Sequence, residues 1–173
     1  WKKIGALYKE TGEKTKALSA YDSSAHYYSL GKDSSNLRSL LQDIGDVYYN
    51  DKQYQKSFHY YFKWHQLNIA TKNKSDIVNS SYWLAWAAYD LKLIDTSKYY
   101  FNYCLNTAKD IGDKANQMYA NLGLGSVAYK EYAYEEGEKY FNTALEIAIA
   151  EKNKKQEANG YKIKANAYAT KLD

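Results

Sequence analysis

The chain has 173 residues, 45% of them apolar, which is enough for one ordinary domain or a few stacked repeats. Its net charge of +4 rests almost wholly on lysine, with Arg38 the only arginine, so the composition argues against a nucleic-acid face and for a solvated lysine surface. No apolar run approaches the ~20 residues of a membrane span, no signal peptide is visible, and the single cysteine, Cys104, excludes an internal disulfide.

Trp1, Ile4, Gly5 and Tyr8 open the chain at helical spacing, and Gly12 marks a turn. A second helix is expected over 13–30, ending at Gly31-Lys32-Asp33-Ser34. Further pairs are expected over 35–50 and 53–71, 75–91 and 94–111, and 115–131 and 134–151. Their endings, Lys72-Asn73-Lys74, Gly112-Asp113-Lys114 and Lys152-Asn153-Lys154, carry a Gly or Asn suited to the left-handed residue that closes a helix. A last helix is expected over 155–172. It has a packed stripe of Ala158, Tyr161, Ala165, Tyr168 and Leu172, and a polar face of Lys155, Lys162, Asn166 and Lys171. The chain opens on Trp1 inside this pattern, so it is expected to be a piece of something longer.

The pairs repeat. Leu124, Gly125, Ala128, Tyr134, Gly137, Phe141 and Ala144 return forty residues earlier as Leu84, Ala85, Ala88, Ile94, Ser97, Phe101 and Cys104. Two further steps of forty give Ile44, Gly45, Tyr48, Tyr54, Ser57, Tyr61 and Trp64, then Ile4, Gly5, Tyr8, Lys14, Ala17, Tyr21 and Ser24. A fixed period in this range marks a helical solenoid. The absence of proline suits uninterrupted helices, and 21 tyrosines suit shallow packing in which rings are buried and hydroxyls stay wet. Small residues at 5, 45, 85, 125 and 165, and at 17, 57, 97 and 137, would let paired helices approach closely, with aromatics at 21, 61, 101 and 141 filling the space beyond. Lys164 stands where the other units carry Ile or Leu, which suits a position that no following helix covers.

Trp1-x2-Ile4-Gly5-x2-Tyr8 with Ala17 and Tyr21, and Leu124-Gly125-x2-Ala128 with Gly137-x3-Phe141-x2-Ala144, resemble the tetratricopeptide repeat. The resemblance runs over essentially the whole chain. It departs in a period of forty rather than ~34 and in the missing closing proline, whose place holds Ser29, Ile69, Lys109 and Ile149. The longer unit is similar to the extended repeats of bacterial signalling and sensor proteins. The resemblance implies an all-α, right-handed α-solenoid of antiparallel helix pairs over 1–173, with units 1–34, 35–74, 75–114 and 115–154 and a capping helix 155–172. It also implies that the first helix of each pair lines a concave, partner-binding surface. Carried over, that surface holds Ser39, Gln42, Asp46 and Tyr49, then Asn79, Tyr82, Trp86 and Tyr89 with Trp83 beside them. It continues with Tyr119, Leu122, Ser126 and Tyr129, then Asn159, Lys162 and Asn166. The expected partner-binding residues are Tyr49, Tyr82, Trp83, Trp86, Tyr89, Tyr119, Leu122 and Tyr129, with Tyr49, Tyr89 and Tyr129 as a ladder.

Some members of that family grip a partner's C-terminal carboxylate with Lys and Asn on successive first helices. Lys2 fits one such place, but Ala6 stands where Asn is expected, and Gln42, Asp46, Tyr82 and Trp83 do not continue the set. Lys162 and Asn166 have the spacing but share one helix, so no clamp is expected. His59 and His65 are six apart and His26 is distant, which is no metal-ligand spacing. Cys104 occupies a small interior place and reads as a buried structural thiol. Gly123-Leu124-Gly125 lacks the Lys-Ser/Thr of a phosphate loop, and the triplets at Asn73 and Asn79 read as chance glycosylation matches. The expectation is a non-catalytic module, without cofactor or metal, that holds a protein or peptide and contacts neither nucleic acid nor membrane. It would belong to a larger regulatory protein, with a cytoplasmic setting slightly favoured over a periplasmic one. The alternative is a sensor domain that takes a small peptide or sugar on Tyr82, Trp86 and Tyr89.

Overall fold

The computed structural model describes residues 1–31 and 33–169, with the side chains of Ser29 and Ser34 outside the described set. Lys32 in the first expected ending, Ser29 in the proline place, and Lys171 and Leu172 of the last helix therefore lie outside the described residues. Among the described residues there are nine helices and no strand. They are α1 (Lys2–Glu10), α2 (Lys14–Leu30), α3 (Ser34–Asn50), α4 (Tyr54–Thr71) and α5 (Lys74–Asp90), then α6 (Ile94–Asp110), α7 (Lys114–Lys130), α8 (Tyr134–Ala150) and α9 (Lys154–Ala169).

From α2 onward a helix begins every twenty residues, and the turns explain the regularity. Gly12, Lys52, Lys72, Lys92, Gly112, Tyr132 and Lys152 all hold a positive φ between 53° and 77°. The amide that follows reaches back to the last helical turn: Glu13 N–H to Tyr8 O at 2.8 Å, Leu93 to Ala88 at 2.9 Å and Ala133 to Ala128 at 2.9 Å. This closure satisfies the carbonyls left over at a helix end. The expectation that Gly or Asn takes the left-handed place holds at Gly112 and is corrected at Asn73 and Asn153. Lys72 and Lys152 take that conformation instead. Asn73 caps the start of α5, accepting from the Ser75 amide at 3.1 Å, and Asn153 accepts from the Gln156 amide at 3.1 Å. Asp33 and Asp113 cap α3 and α7 in the same way. A cap of this kind stabilises a helix by ~1 kcal/mol.

Within each pair the small residue of the first helix lies against the aromatic of the second. A Cβ built on Gly5 would sit 2.5 Å from the Tyr21 ring, on Gly45 2.4 Å from Tyr61, and on Gly125 2.7 Å from Phe141. Tyr21, Tyr61, Phe101 and Phe141 are all fully buried.

The chain divides into two compact units, one over Trp1–Lys72 and the other beginning at Asn73. The first is built round Ala17, Tyr21, Leu40, Ile44 and Val47. The second holds two clusters, one round Val78, Ala85, Phe101 and Leu124, the other round Met118, Leu122, Phe141 and Ala144. The units repeat each other's contacts. Tyr49 lies 5.5 Å from Tyr54 and 6.4 Å from Tyr61, and eighty residues on Tyr129 lies 5.2 Å from Tyr134 and 5.6 Å from Phe141.

The last helix corrects the sequence reading. Most of its expected packed stripe faces outward: Ala158 and Ala165 are exposed and Tyr161 is 52% exposed, while Tyr168 lays its ring on Tyr129 and its hydroxyl on Glu138. Gly160 and Ala167 are buried instead, with Ile163 packed beside them. The reason is register. Residues 160, 163 and 167 stand forty after Ala120, Gly123 and Val127, the face that α7 turns to α6. Residues 158 and 165 stand forty after Met118 and Gly125, which lie toward α8. The stripe chosen from the sequence is thus the face that meets a paired second helix. Lys164 folds back onto α8, 2.8 Å from Glu138 Oε2 and 3.2 Å from Asn142 Oδ1.

Candidate functional site

The first helices of the pairs present one face in each unit, and the two faces differ in chemistry. In the Trp1–Lys72 unit, α1 and α3 meet through charges. Lys9 Nζ lies 2.7 Å from Asp46 and 3.6 Å from Asp43, and Lys2 Nζ lies 3.8 Å from Asp43. The Tyr61 hydroxyl donates to Asp46 Oδ1 at 2.7 Å. Burial pushes the Asp43 carboxyl up while Lys9 and Lys2 pull it down. Burial and the neighbouring Asp46 carboxylate hold the Tyr61 phenol protonated far above its ordinary value. Tyr49 is half-buried beside this set, between Tyr54 and Tyr61.

In the unit beginning at Asn73 the equivalent face is aromatic. The Tyr82 ring lies 5.3 Å from Trp83, 5.7 Å from Tyr119 and 6.4 Å from Trp86, and Trp86 lies 5.3 Å from Tyr89. Trp86 also stands edge-on to buried Phe101 at 5.2 Å, which fixes its plane. A recess of about 270 Å³ opens beside this cluster, lined by Trp86 and Tyr89 of α5, Ser126 and Lys130 of α7, and Ile163, Asn166 and Ala167 of α9. Trp86, Ser126 and Asn166 occupy one register position, forty residues apart, so the repeat itself brings them together. No carboxylate lines the recess. Burial raises the Tyr82 and Tyr89 phenols to about 12, so both are neutral at physiological pH. The recess offers apolar contact from Trp86, Ile163 and Ala167 and amide and ammonium groups from Asn166 and Lys130, while Ser126 is 4% exposed and donates its hydroxyl to Leu122 O at 3.0 Å.

Of the eight residues expected to bind a partner, Trp86 and Tyr89 line the recess, while Tyr82, Trp83 and Tyr119 are half-buried in the cluster beside it. Leu122 is a correction: it is 0% exposed, because its register points it to Met118 and Phe141 inside the core. Tyr129 is also inside, 6% exposed with its hydroxyl on Glu138, so it offers little surface to a partner. Ile163 and Ala167 were missed with the face of α9. Lys130 was missed because charged residues at helix ends carry no periodic signal, although its place one residue after Tyr129 could have flagged it.

Cys104 is fully buried, and burial raises its thiol to about 12, which keeps it unreactive at neutral pH. His65 is buried and His59 exposed. Among the described residues no group of three His, Cys, Asp or Glu is placed to hold a metal ion, and no helix is long and apolar enough to cross a membrane.

Among solved structures the chain is similar to the apo form of RapI, with a TM-score of 0.83 at 17% identity, covering 97% of this chain and 47% of that one. It is similar to aspartyl phosphate phosphatase F from Bacillus subtilis, with a TM-score of 0.80 at 12% identity, covering 96% and 44%. A third likeness is to the Rap conjugation gene regulator of the plasmid pLS20 in complex with the Phr* peptide, with a TM-score of 0.56 at 16% identity, covering 91% and 55%. The chain spans less than half the length of the first two structures. At these identities the likeness establishes the fold, an all-α helical repeat of antiparallel pairs. No protein-family model matches the sequence, and no curated protein matches it significantly.

Proposed function

We propose that this chain is a non-catalytic, tetratricopeptide-like module with a forty-residue repeat, that it holds an extended peptide or protein segment, and that it serves a larger regulatory protein. The binding surface in this reading is the first-helix face of the unit beginning at Asn73. Trp86 and Tyr89 are its aromatic anchors, with Tyr82, Trp83 and Tyr119 behind them. The observation that carries the reading is the recess beside Trp86, where an aromatic wall stands next to the amide of Asn166 and the ammonium of Lys130. Buried aromatics with a polar rim are the usual anchors of a binding surface. The solved Rap conjugation regulator, which shares the fold, was captured with a peptide. By the same reading the charged face of the Trp1–Lys72 unit is internally satisfied and contributes little.

The test is a displayed peptide library panned on the wild-type chain and on the Trp86→Ala plus Tyr89→Ala double variant, with folding of both checked by circular dichroism. Enrichment of related peptides on the wild type alone supports the proposal. Equal enrichment on the folded double variant removes it. A recess of this volume also suits one short ligand. Saturable binding of free sugars with no peptide enrichment would make the module a small-ligand sensor.

A further inference from the structure

The recess beside Trp86 has a definite charge. Among the described residues Lys130, at the end of α7, is the only charged side chain that lines it. Lys130 is exposed and has no ion-pair partner among the described residues. The carboxylate next to it in sequence, Glu131, is taken by Lys98 of α6 at 2.7 Å. Other lysines of the first helices are neutralised: Lys74 by Asp110 at 2.9 Å, Lys154 by Glu157 at 2.9 Å and Lys164 by Glu138 at 2.8 Å. Asp90 ends α5 beside Tyr89 and helps raise its phenol, but it does not line the recess. The same sign runs through the layer. Helices α5, α7 and α9 together carry seven lysines and three carboxylates, whereas α6 and α8 carry three lysines and six carboxylates. In the Trp1–Lys72 unit, by contrast, Lys2 and Lys9 of the equivalent face are held by Asp43 and Asp46.

We propose that the segment held on this surface is acidic. It sets an apolar side chain against Trp86, Ile163 and Ala167 and, next to that, an aspartate or glutamate side chain within reach of the Lys130 ammonium. This rests on the binding surface proposed above and adds the charge of its occupant. Apolar walls focus the field of a charge at the mouth of a cleft. A carboxylate seated there is attracted by Lys130, and a lysine or arginine is repelled. The Asn166 amide adds a donor that a carboxylate can accept from.

The probes are peptides enriched from the displayed library on the wild-type chain but not on the Trp86→Ala plus Tyr89→Ala variant. Each is synthesised with a fluorescent label and an amidated C-terminus, so that no chain-terminal carboxylate is present. Each is paired with a twin in which Asp and Glu are replaced by Asn and Gln. Anisotropy titration with the full 173-residue chain should show the acidic peptide binding about fivefold or more tighter than its twin. Lys130→Gln should erase that difference and Lys130→Glu should reverse it. Circular dichroism of both variants should match wild type, since Lys130 is exposed. Enriched peptides without Asp or Glu, twins that bind alike, or an acidic advantage that survives Lys130→Gln would overturn this inference and leave the binding surface standing. Absence of any peptide that depends on Trp86 and Tyr89 would remove the binding surface and this inference with it.

Discussion

The register position that holds Asp46 in the Trp1–Lys72 unit holds Trp86 and Ser126 in the unit beginning at Asn73, and Asn166 in α9. Asp46 is tied to Lys9 and Tyr61, whereas Trp86, Ser126 and Asn166 line a recess. The two units thus share a frame and differ in how its first-helix face is finished. The frame needs only the small residue under the aromatic and the left-handed residue in the turn. Positions that neither feature uses are free to become an internal ion-pair set in one unit and an aromatic surface in the other.

The sharpest break in this comparison comes from attacking the frame itself. Phe101→Ala and Phe141→Ala each remove a fully buried ring and should destabilise the chain by ~3–5 kcal/mol in chemical denaturation. A loss under about 1 kcal/mol at either site would mean that the aromatic is not the keystone of the pair. On the charged face, Asp46→Ala leaves Lys9 and the buried Tyr61 hydroxyl without this acceptor, and ~1–3 kcal/mol should be lost. The same variant should leave peptide binding unchanged. On the aromatic face, Trp86→Ala plus Tyr89→Ala should weaken peptide binding about tenfold or more with a smaller effect on stability than Phe101→Ala.

These contrasts also separate what could be read in the residues from what could not. The forty-residue frame was legible because the same small and aromatic side chains recur with no drift from Gly5 and Tyr21 to Gly125 and Phe141. The turns were legible as breaks, but their chemistry was not. A left-handed lysine such as Lys52 or Lys92 carries no compositional sign, since closure is made by backbone amides. In α9 two tyrosines and two alanines make an apolar stripe away from the buried face, which is built from Gly160, Ile163 and Ala167, so the count of apolar residues pointed the wrong way. Within the candidate site, Trp86, Ser126 and Asn166 were legible only through the family resemblance, which names the first-helix face; register then puts the three in equivalent places. Leu122 was misplaced because an apolar residue on a first helix reads alike whether it faces a partner or the core.

A smaller effect should separate the units by pH. Burial depresses the His65 imidazole in α4 from 6.5 to about 4. The folded form resists protonation, so this stability is full above pH 6.5 and is lost as pH falls toward 4. Burial works against ionisation of Glu138, but hydrogen bonds from Lys164, Tyr129 and Tyr168 outweigh it and draw the carboxyl from 4.5 to about 2. That stability is full above pH 4.5 and is lost as pH falls toward 2. Hydrogen exchange during acidification should therefore show α4 loosening before α9, and His65→Phe should remove the earlier step.

The most direct test of the central claim is a nuclear magnetic resonance titration of the isotope-labelled chain with a peptide enriched on the wild type. The account predicts that shifts gather at the Trp86 indole, Tyr89, Ser126 and Asn166, with Lys9, Asp43 and Asp46 unmoved. Shifts that gather on α1 and α3 and leave the Trp86 indole unmoved would contradict it.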